Sequence, residues 1–134
     1  MEREQSEDLM MTPAPSGRKV LVVDDQPSIL EGVQLLLEGA GHDVTACATF
    51  GDARRALLAA TYDVLLTDIR LGAFNGLQLA VIARQRDPHI RIAVFSGTDD
   101  AVLREEASRV SAAYLLKPVI GQRLLELCEA ERYA

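Results

Sequence analysis

The amino-acid sequence predicts an α/β fold, a three-layer α/β/α sandwich with one central parallel sheet. Five short apolar runs alternate strictly with stretches in which apolar residues recur every three or four positions, the pattern of strands alternating with amphipathic helices. The first, third and fourth runs are apolar without alternation, as expected of strands that have helices on both faces. With right-handed crossovers, five such units build one sheet between two helical layers. The chain has 134 residues, of which 49% are hydrophobic, which allows one domain.

Each unit has its own boundary signals. In the first unit, Ile29, Val33 and Leu36 lie on one face of a helix. Pro27 suits the first turn of that helix, and Gly39 suits its end. The predicted strands are Lys19–Asp24, Asp43–Ala48, Asp63–Thr67, Ile90–Phe95 and Ala112–Leu116. The predicted helices after the first are Asp52–Ala60, Gly76–Arg86, Asp99–Arg109 and Val119–Arg132.

Residues 1–17 differ in composition from residues 18–134, which form the predicted domain. They contain four acidic residues and one basic residue and end in Pro, Ser and Gly, which indicates a flexible acidic leader. An artificial extension of the chain is the alternative. No apolar run approaches the roughly 20 residues of a membrane span, and the N-terminus lacks the apolar segment of a signal peptide. We therefore predict a cytoplasmic protein without a membrane partner.

Charge and cysteine usage narrow the partners further. The formal net charge is −6, and no predicted helix carries a basic stripe, so this chain is not expected to bind nucleic acid directly. Cys47 and Cys128 lack disulfide or metal-site spacing and are predicted to be inert buried thiols. His42 and His89 flank strand starts and are predicted to be surface residues, not phosphate carriers.

Polar side chains follow four of the five predicted strands. Asp24 and Asp25 end the first strand, Asp68 follows the third, Ser96 the fourth and Lys117 the fifth. In a parallel sheet these ends meet at one edge, where ligands bind near the switch in strand order. Three carboxylates about 5 Å apart would repel one another by on the order of 3 kcal/mol per pair at an effective dielectric constant near 20. The cluster therefore predicts a cation, and an all-oxygen site with open positions suits Mg²⁺.

This set of groups is typical of phosphoryl transfer. It offers a carboxylate nucleophile, a divalent ion next to the transferred oxygens, and an ammonium group that stabilises their charge. Each group alone is weak evidence, because acidic pairs after strands are more often solvated loops. Their combination at strand ends is far more specific.

The sequence resembles the receiver domains of two-component response regulators over about residues 18–132. The resemblance lies in VLVVDD, in LLTDIR with Gly76 eight residues after Asp68, in Ser96, and in YLLKP, which contains Tyr114 and Lys117. It implies a flavodoxin-like sheet with strand order 2-1-3-4-5. It also implies a cis peptide bond between Lys117 and Pro118, whereas most bonds before proline are trans.

The resemblance implies a role for each site residue. Asp68 would be the phosphoacceptor, and Lys117 would pair with the phosphoryl group. Asp25 would be the main metal carboxylate, together with Asp68 and the main-chain carbonyl of Arg70, and Asp24 would lie behind these ligands or reach the ion through water. Ser96 would bind a phosphoryl oxygen, and Tyr114 would change rotamer when Ser96 moves.

Two segments depart from the family pattern. Leu71-Gly72 stands where the family often has Met-Pro, which predicts a less rigid loop after the acceptor. Val110-Ser111 replaces a common Gly-Ala, so the sequence does not determine where the fourth helix ends. Arg70 and Thr98 occupy positions that tune dephosphorylation in the family, but the sequence does not give their effect.

The implied function is that of a Mg²⁺-dependent receiver domain. It would take a phosphoryl group from a histidine kinase or a histidine phosphotransfer protein and would catalyse only its own phosphorylation and dephosphorylation. The face made by the fourth helix, fifth strand and fifth helix would then change and bind a downstream protein, an effector domain or a second copy as a homodimer.

Three alternative functions place different demands on the sequence. An aspartyl phosphohydrolase needs a second Asp two residues after the nucleophile, where this chain has Gln26 or Pro27. A flavin carrier needs a phosphate cradle after the first strand, where Asp24 and Asp25 would repel phosphate. A receiver-like interaction scaffold that is not regulated by phosphorylation remains as the alternative function.

Overall fold

The computed structural model describes residues 17–130 of the chain. Its strands are β1 (Lys19–Val23), β2 (Asp43–Cys47), β3 (Val64–Asp68), β4 (Arg70–Leu71), β5 (Phe74–Asn75), β6 (Arg91–Ser96) and β7 (Ala113–Leu116). Its helices are α1 (Pro27–Gly39), α2 (Phe50–Ala59), α3 (Gly76–Arg86), α4 (Ala101–Arg109) and α5 (Gly121–Glu129). Apart from Gly17, the predicted acidic leader lies outside the described residues and stays a prediction.

The five long strands form one parallel sheet with the order β2-β1-β3-β6-β7. Once the two-residue strands β4 and β5 are set aside, this confirms the predicted order 2-1-3-4-5. The central strand β3 is buried along its whole length, as expected of a strand covered on both faces. Pairing with β1 stops at Thr67, whereas pairing with β6 continues to Asp68. Asp68 therefore lies just past the end of β1.

Two helical layers enclose the sheet. Helices α1 and α5 bury Leu37 and Leu124 against one face, and helices α2, α3 and α4 bury Leu57, Ala80 and Ala107 against the other. Leu, Val, Ile and Ala dominate both cores, as the composition predicts. None of the helices within residues 17–130 is long and apolar enough to cross a membrane.

Side-chain caps move two helix starts away from the predicted positions. Helix α2 begins earlier than predicted, at Phe50, because the Thr49 hydroxyl accepts a hydrogen bond from the main-chain N–H of Asp52 at 3.1 Å. Helix α4 begins at Ala101 and not at Asp99, because the Asp100 carboxylate caps it. Helix α5 is Gly121–Glu129, shorter than predicted at its start, since its cap residue Ile120 is still extended.

Helices α1 and α4 end in the same motif with different residues. After α1, Gly41 takes a φ of +97°, and the N–H groups of Gly41 and His42 donate to Glu38 and Leu37. After α4, the N–H groups of the corresponding residues donate to the carbonyls of the helix's last turn in the same way, but the left-handed position, with a φ of +57°, is Ser111. At Val110-Ser111, α4 therefore ends in the same way as α1, with serine in place of glycine.

The two thiols are buried, and one of the two histidines is as well. Cys47 and Cys128 are both buried, as predicted, and burial raises the pKa of the Cys128 thiol to about 12 and also raises that of Cys47, which disfavours the reactive thiolate. The surface prediction for His42 is wrong, because only 5% of its surface is exposed. The helix-ending turn at Gly41 directs the following residue inward at the start of β2.

The segment after Asp68 is a tight hairpin that the sequence did not predict. Strands β4 and β5 pair antiparallel, with Arg70 opposite Asn75 and Leu71 opposite Phe74. Gly72 has a φ of +64° at the first position of the two-residue connection, where type II′ turns place glycine. The Leu71-Gly72 segment thus forms part of a hairpin in which Leu71 is buried, and the lower rigidity of this loop stays a prediction.

Candidate functional site

Three carboxylates converge at the carboxyl edge of the sheet. Oxygen atoms of Asp24, Asp25 and Asp68 all lie within 4.8 Å of one another. The parallel pairing of Val23 with Thr67 brings the ends of β1 and β3 side by side, which places these residues together. Asp24 and Asp68 are buried, whereas Asp25 is exposed. One open and two buried acidic groups therefore share one small volume.

Asp68 is the carboxylate with direct cationic contact. Its Oδ2 lies 2.9 Å from Nζ of Lys117, which follows β7. Its Oδ1 accepts a longer hydrogen bond, 3.3 Å, from the main-chain N–H of Arg70. The N–H of Lys117 donates to the carbonyl of Ser96 at 2.8 Å, and the Lys117–Pro118 peptide bond is cis, as predicted. The Asp68 side chain is thus oriented at both oxygens.

Asp24 lies beneath the open part of the site. Burial raises the pKa of its carboxyl group above the ordinary value, and the nearby Asp68 and Asp25 raise it further. The main-chain N–H of Gln26, which donates to Asp24 Oδ1 at 2.9 Å, and the charge of Lys117 oppose that change in pKa. A cluster in which a buried carboxylate resists ionisation is stabilised by a bound cation, and its hard oxygen donors fit Mg²⁺.

The main chain of Asp68 is also tightly packed. The Thr67 hydroxyl, fully buried, donates to the Asp68 carbonyl at 2.9 Å. A Cβ atom on Gly76 would lie 2.1 Å from that same carbonyl oxygen, so only glycine fits there. The N–H of Gly76 donates to the Ile69 carbonyl at 2.7 Å. The motif glycine eight residues after Asp68 therefore allows α3 to begin against the backbone of Asp68.

Ser96 and Tyr114 share one hydrogen-bond acceptor. The Ser96 hydroxyl donates to the carbonyl of Thr98 at 3.0 Å, and the Tyr114 hydroxyl donates to the same oxygen at 2.7 Å. The guanidinium of Arg104 lies over the Tyr114 ring, 4.7 Å from its centroid, and also pairs with Asp99. Ser96 and Tyr114 are therefore linked through the Thr98 carbonyl.

An open pocket of about 370 Å³ lies above this arrangement. It is lined by Asp25, Gln26, Asp68, Arg70, Ser96, Gly97, Thr98 and Lys117. Most of the predicted site residues thus meet in one pocket. Asp24 instead borders a neighbouring apolar cavity of about 210 Å³ under α1, and Tyr114 lines neither cavity.

Several contacts at the site could not be predicted from residue types. The acceptor shared by Ser96 and Tyr114 is a main-chain oxygen, which no side chain marks in a sequence. Thr67 is the one polar residue of β3 besides Asp68, and its place in LLTD is the one sequence signal for its hydroxyl. Arg104 was one of several scattered arginines, and only the fold places it over Tyr114.

Comparisons with known proteins agree with this geometry. The family model of the response regulator receiver domain matches residues 20–129. The chain is 33% identical over 113 residues to the response regulator protein PilR of Pseudomonas aeruginosa, which covers 84% of this chain and 25% of PilR. It is 33% identical over 108 residues to the transcriptional regulatory protein FixJ of Azorhizobium caulinodans, which covers 78% of this chain and 50% of FixJ. The chain thus spans a quarter to a half of the length of these relatives.

Solved structures give the same result. A CheY-like receiver domain protein from Methanospirillum hungatei superposes with a TM-score of 0.78 at 28% identity, covering 83% of this chain and 90% of that one. A response regulator receiver protein from Sinorhizobium medicae superposes with a TM-score of 0.75 at 28% identity, covering 86% and 94%. Sequence motifs, strand order and comparisons agree, and this chain belongs to the receiver domain family of two-component response regulators.

Proposed function

We propose that this receiver domain accepts a phosphoryl group on Asp68 in a Mg²⁺-dependent reaction. The observation that carries the proposal is the double orientation of the Asp68 carboxylate, with Lys117 Nζ at 2.9 Å on one oxygen and the Arg70 N–H on the other. Asp24 and Asp25 lie beside it as a second, purely anionic group. A nucleophile between a fixed ammonium and a cation site is the arrangement that phosphoryl transfer requires.

Asp25, Asp68 and the main-chain carbonyl of Arg70 would hold the Mg²⁺ ion, with Asp24 behind them or joined to the ion through water. When bound, the ion neutralises negative charge on the carboxylates and on the transferred oxygens. Lys117 remains available to stabilise the charge of the phosphoryl oxygens from the other side. The raised pKa of Asp24 favours cation uptake, because ionised Asp24 is unfavourable without a counter-charge.

The reaction forms one bond and breaks one. An oxygen of the Asp68 carboxylate forms the O–P bond, and the bond between phosphorus and the donor breaks. From a phosphohistidine, the imidazole nitrogen keeps the electron pair and takes up a proton; from acetyl phosphate, acetate leaves. Attack of water on phosphorus later restores the carboxylate and releases phosphate. The domain catalyses only these two steps on itself.

The partners follow from this chemistry. The donor would be a cytoplasmic histidine kinase or histidine phosphotransfer protein, and the reader an effector domain or a separate downstream protein. FixJ of Azorhizobium caulinodans and ComA of Bacillus subtilis are transcriptional regulatory proteins that are longer than this chain. Within residues 17–130 we assign no nucleic-acid contact, because no helix there carries a basic stripe.

The output surface would be the face of α4, β7 and α5. If the Ser96 hydroxyl turns to the phosphoryl oxygens, it leaves the Thr98 carbonyl to Tyr114 alone. The loop between β6 and α4 and the Tyr114 ring can then rearrange, which gives the site two states that the phosphoryl group favours unequally. A downstream protein or a second copy of this chain would bind that altered face.

The test is labelling with acetyl phosphate and Mg²⁺, followed by intact-mass measurement and hydroxylamine treatment. We expect one hydroxylamine-labile phosphoryl group on the wild type, none on Asp68→Asn, and wild-type labelling on Asp43→Asn, whose exposed carboxylate lies at the other end of the sheet. Labelling of Asp68→Asn at the wild-type level would show that the acceptor is another residue. A wild type that stays unlabelled with Mg²⁺ present would favour the interaction scaffold.

A further inference from the structure

We infer that the stacked rings of Phe50 and Phe74 hold the main chain of Arg70 in the position of a metal ligand and so set the affinity of the site for Mg²⁺. We call residues 70–75 the acceptor hairpin. The inference rests on the proposed function, since it names what positions the loop of that same site. It makes Phe50 and Phe74 positioning residues that contact neither metal nor phosphoryl group.

The acceptor hairpin is too short to be stable alone. Each of its strands has two residues, and its pairing consists of Arg70 with Asn75 and Leu71 with Phe74. Isolated two-stranded hairpins are marginally stable in water even when they are longer. The hairpin therefore depends on contacts with the rest of the domain.

Two apolar contacts anchor it, one for each strand. Leu71 of β4 is 3% exposed and belongs to the core beneath α2, α3 and α4. Phe74 of β5 is 53% exposed, and its ring stacks on Phe50 with centroids 4.6 Å apart and planes 11° apart. Phe50 is the first residue of α2, a helix fixed by its Thr49 cap and by buried Leu57. The stack therefore ties β5 to a rigid helix.

The hairpin matters to the site through Arg70. The Arg70 N–H donates to Asp68 Oδ1 at 3.3 Å, a long bond that a small displacement would break. Arg70 is paired with Asn75, whose side chain accepts from the Leu77 N–H at 2.7 Å and caps α3. β5 thus connects the Phe50–Phe74 stack to β4, the strand that contains Arg70. Greater mobility of Phe74 would therefore increase the mobility of the Arg70 main chain. A ligand that is ordered before binding gives higher affinity, because less freedom is lost.

The half-exposed position of Phe74 makes the effect separable from folding. Its ring is not part of the buried core, so truncation leaves no cavity there. An offset aromatic pair contributes enough free energy to change an equilibrium about two- to tenfold. That free energy would appear as metal affinity, because the hairpin must be ordered when the ion binds.

The experiment is titration calorimetry of Mg²⁺ into the 134-residue chain, in the wild type and in Phe50→Ala, Phe74→Ala, the double variant and Phe74→Tyr. Leu58→Ala is the matched control, since Leu58 lies on the same helix and is 44% exposed. Asp25→Ala, which should abolish the heat of binding, confirms which site is titrated. Each single Ala variant should raise the Mg²⁺ Kd by about two- to tenfold.

The pattern across variants decides the inference. The double variant should bind Mg²⁺ no more weakly than the weaker single variant, because either change alone removes the stack. Phe74→Tyr keeps a ring for the stack and should bind Mg²⁺ with the wild-type Kd. Leu58→Ala should also have the wild-type Kd. Equal Kd values for wild type and Phe variants, or fully additive losses in the double variant, would overturn the inference while Asp68 phosphorylation stands. A wild type without Mg²⁺ binding would instead contradict the proposed function itself.

Discussion

The pocket around Asp68 and the proposed output face, formed by α4, β7 and α5, are held by different kinds of contact. Asp24 and Asp68 are buried at the ends of paired strands, and their positions follow from the sheet. Tyr114 is half-buried on the edge strand β7, where it packs at the margin of the core, and the outer part of its side chain contacts the Thr98 carbonyl and the guanidinium of Arg104. The pocket carboxylates are therefore positioned at buried strand ends, whereas the outer contacts of the Tyr114 side chain are ones that can exchange partners.

The difference explains how one fold can combine a constant reaction with an adjustable output. Strand ends in a close-packed sheet cannot move without loss of pairing, so the Asp68 carboxylate stays oriented. A tyrosine hydroxyl and an exposed ion pair break at small free-energy cost, since each contributes about 1 kcal/mol or less. The Thr98 carbonyl joins the two regions, because it accepts hydrogen bonds from both Ser96 and Tyr114.

The largest expected effect comes from a substitution that displaces the backbone of Asp68 in the pocket. Gly76→Ala places a Cβ atom 2.1 Å from the Asp68 carbonyl oxygen, which forces the acceptor's backbone to shift. We expect a loss of about 2 kcal/mol or more in the free energy of unfolding, together with loss of phosphorylation. Urea denaturation and acetyl phosphate labelling measure the two effects.

Gly32→Ala is the matched control for that substitution. Gly32 lies within α1 with nothing within 4 Å of its Cβ position, so alanine should stabilise that helix by about 0.5–1 kcal/mol. Equal effects of the two substitutions would show that the backbone of Asp68 is not tightly held.

A smaller effect tests the electrostatics of the pocket. The pKa of Asp24 is raised in the folded state, so its contribution to stability is present below the ordinary pKa of aspartate and is lost as pH rises through the raised pKa. Asp24→Asn stays neutral and retains the oxygen that accepts from Gln26. In metal-free buffer at pH 7 the variant should therefore melt a few degrees higher than the wild type.

The pH dependence provides the check on Asp24→Asn. The difference in melting temperature should shrink toward zero as pH falls below the ordinary range for aspartate, because wild-type Asp24 is then protonated as well. Added Mg²⁺ should raise the melting temperature of the wild type more than that of the variant. A difference that stays constant from acidic to neutral pH would point to a packing effect instead of a charge effect.

The smallest expected effect concerns the far end of the output face, where α4 stops. Ser111 holds a φ of +57° in the position that Gly41 occupies after α1. Ser111→Gly should raise the free energy of unfolding by about 0.5–1 kcal/mol, because glycine avoids the left-handed penalty but is more flexible when unfolded. Gly41→Ala should lower it by a similar or larger amount. Opposite signs for the two variants in urea denaturation would confirm the shared motif, and equal signs would contradict it.

The sequence predicted the sheet and the strand-end chemistry because both follow from apolar periodicity. Each of Asp24, Asp68 and Lys117 directly follows or ends a predicted strand, and parallel strands bring such ends together. Contacts between side chains distant in sequence were not predictable in this way. The Phe50–Phe74 stack joins a helix start to a hairpin that no residue pattern indicated, and His42 is buried by a turn in which Gly41 takes a left-handed conformation.

Hydrogen exchange with and without beryllofluoride, a mimic of the phosphoryl group, tests most directly whether a fixed pocket drives an adjustable face. With Mg²⁺ present, we expect changes in exchange at residues 68–70 and also at residues 97–100 and 113–116. In Ser96→Ala the changes at residues 68–70 should remain, whereas those in the other two segments should largely disappear. Changes confined to the pocket in the wild type, with residues 97–116 silent, would contradict the account and favour a scaffold without a phosphorylation switch.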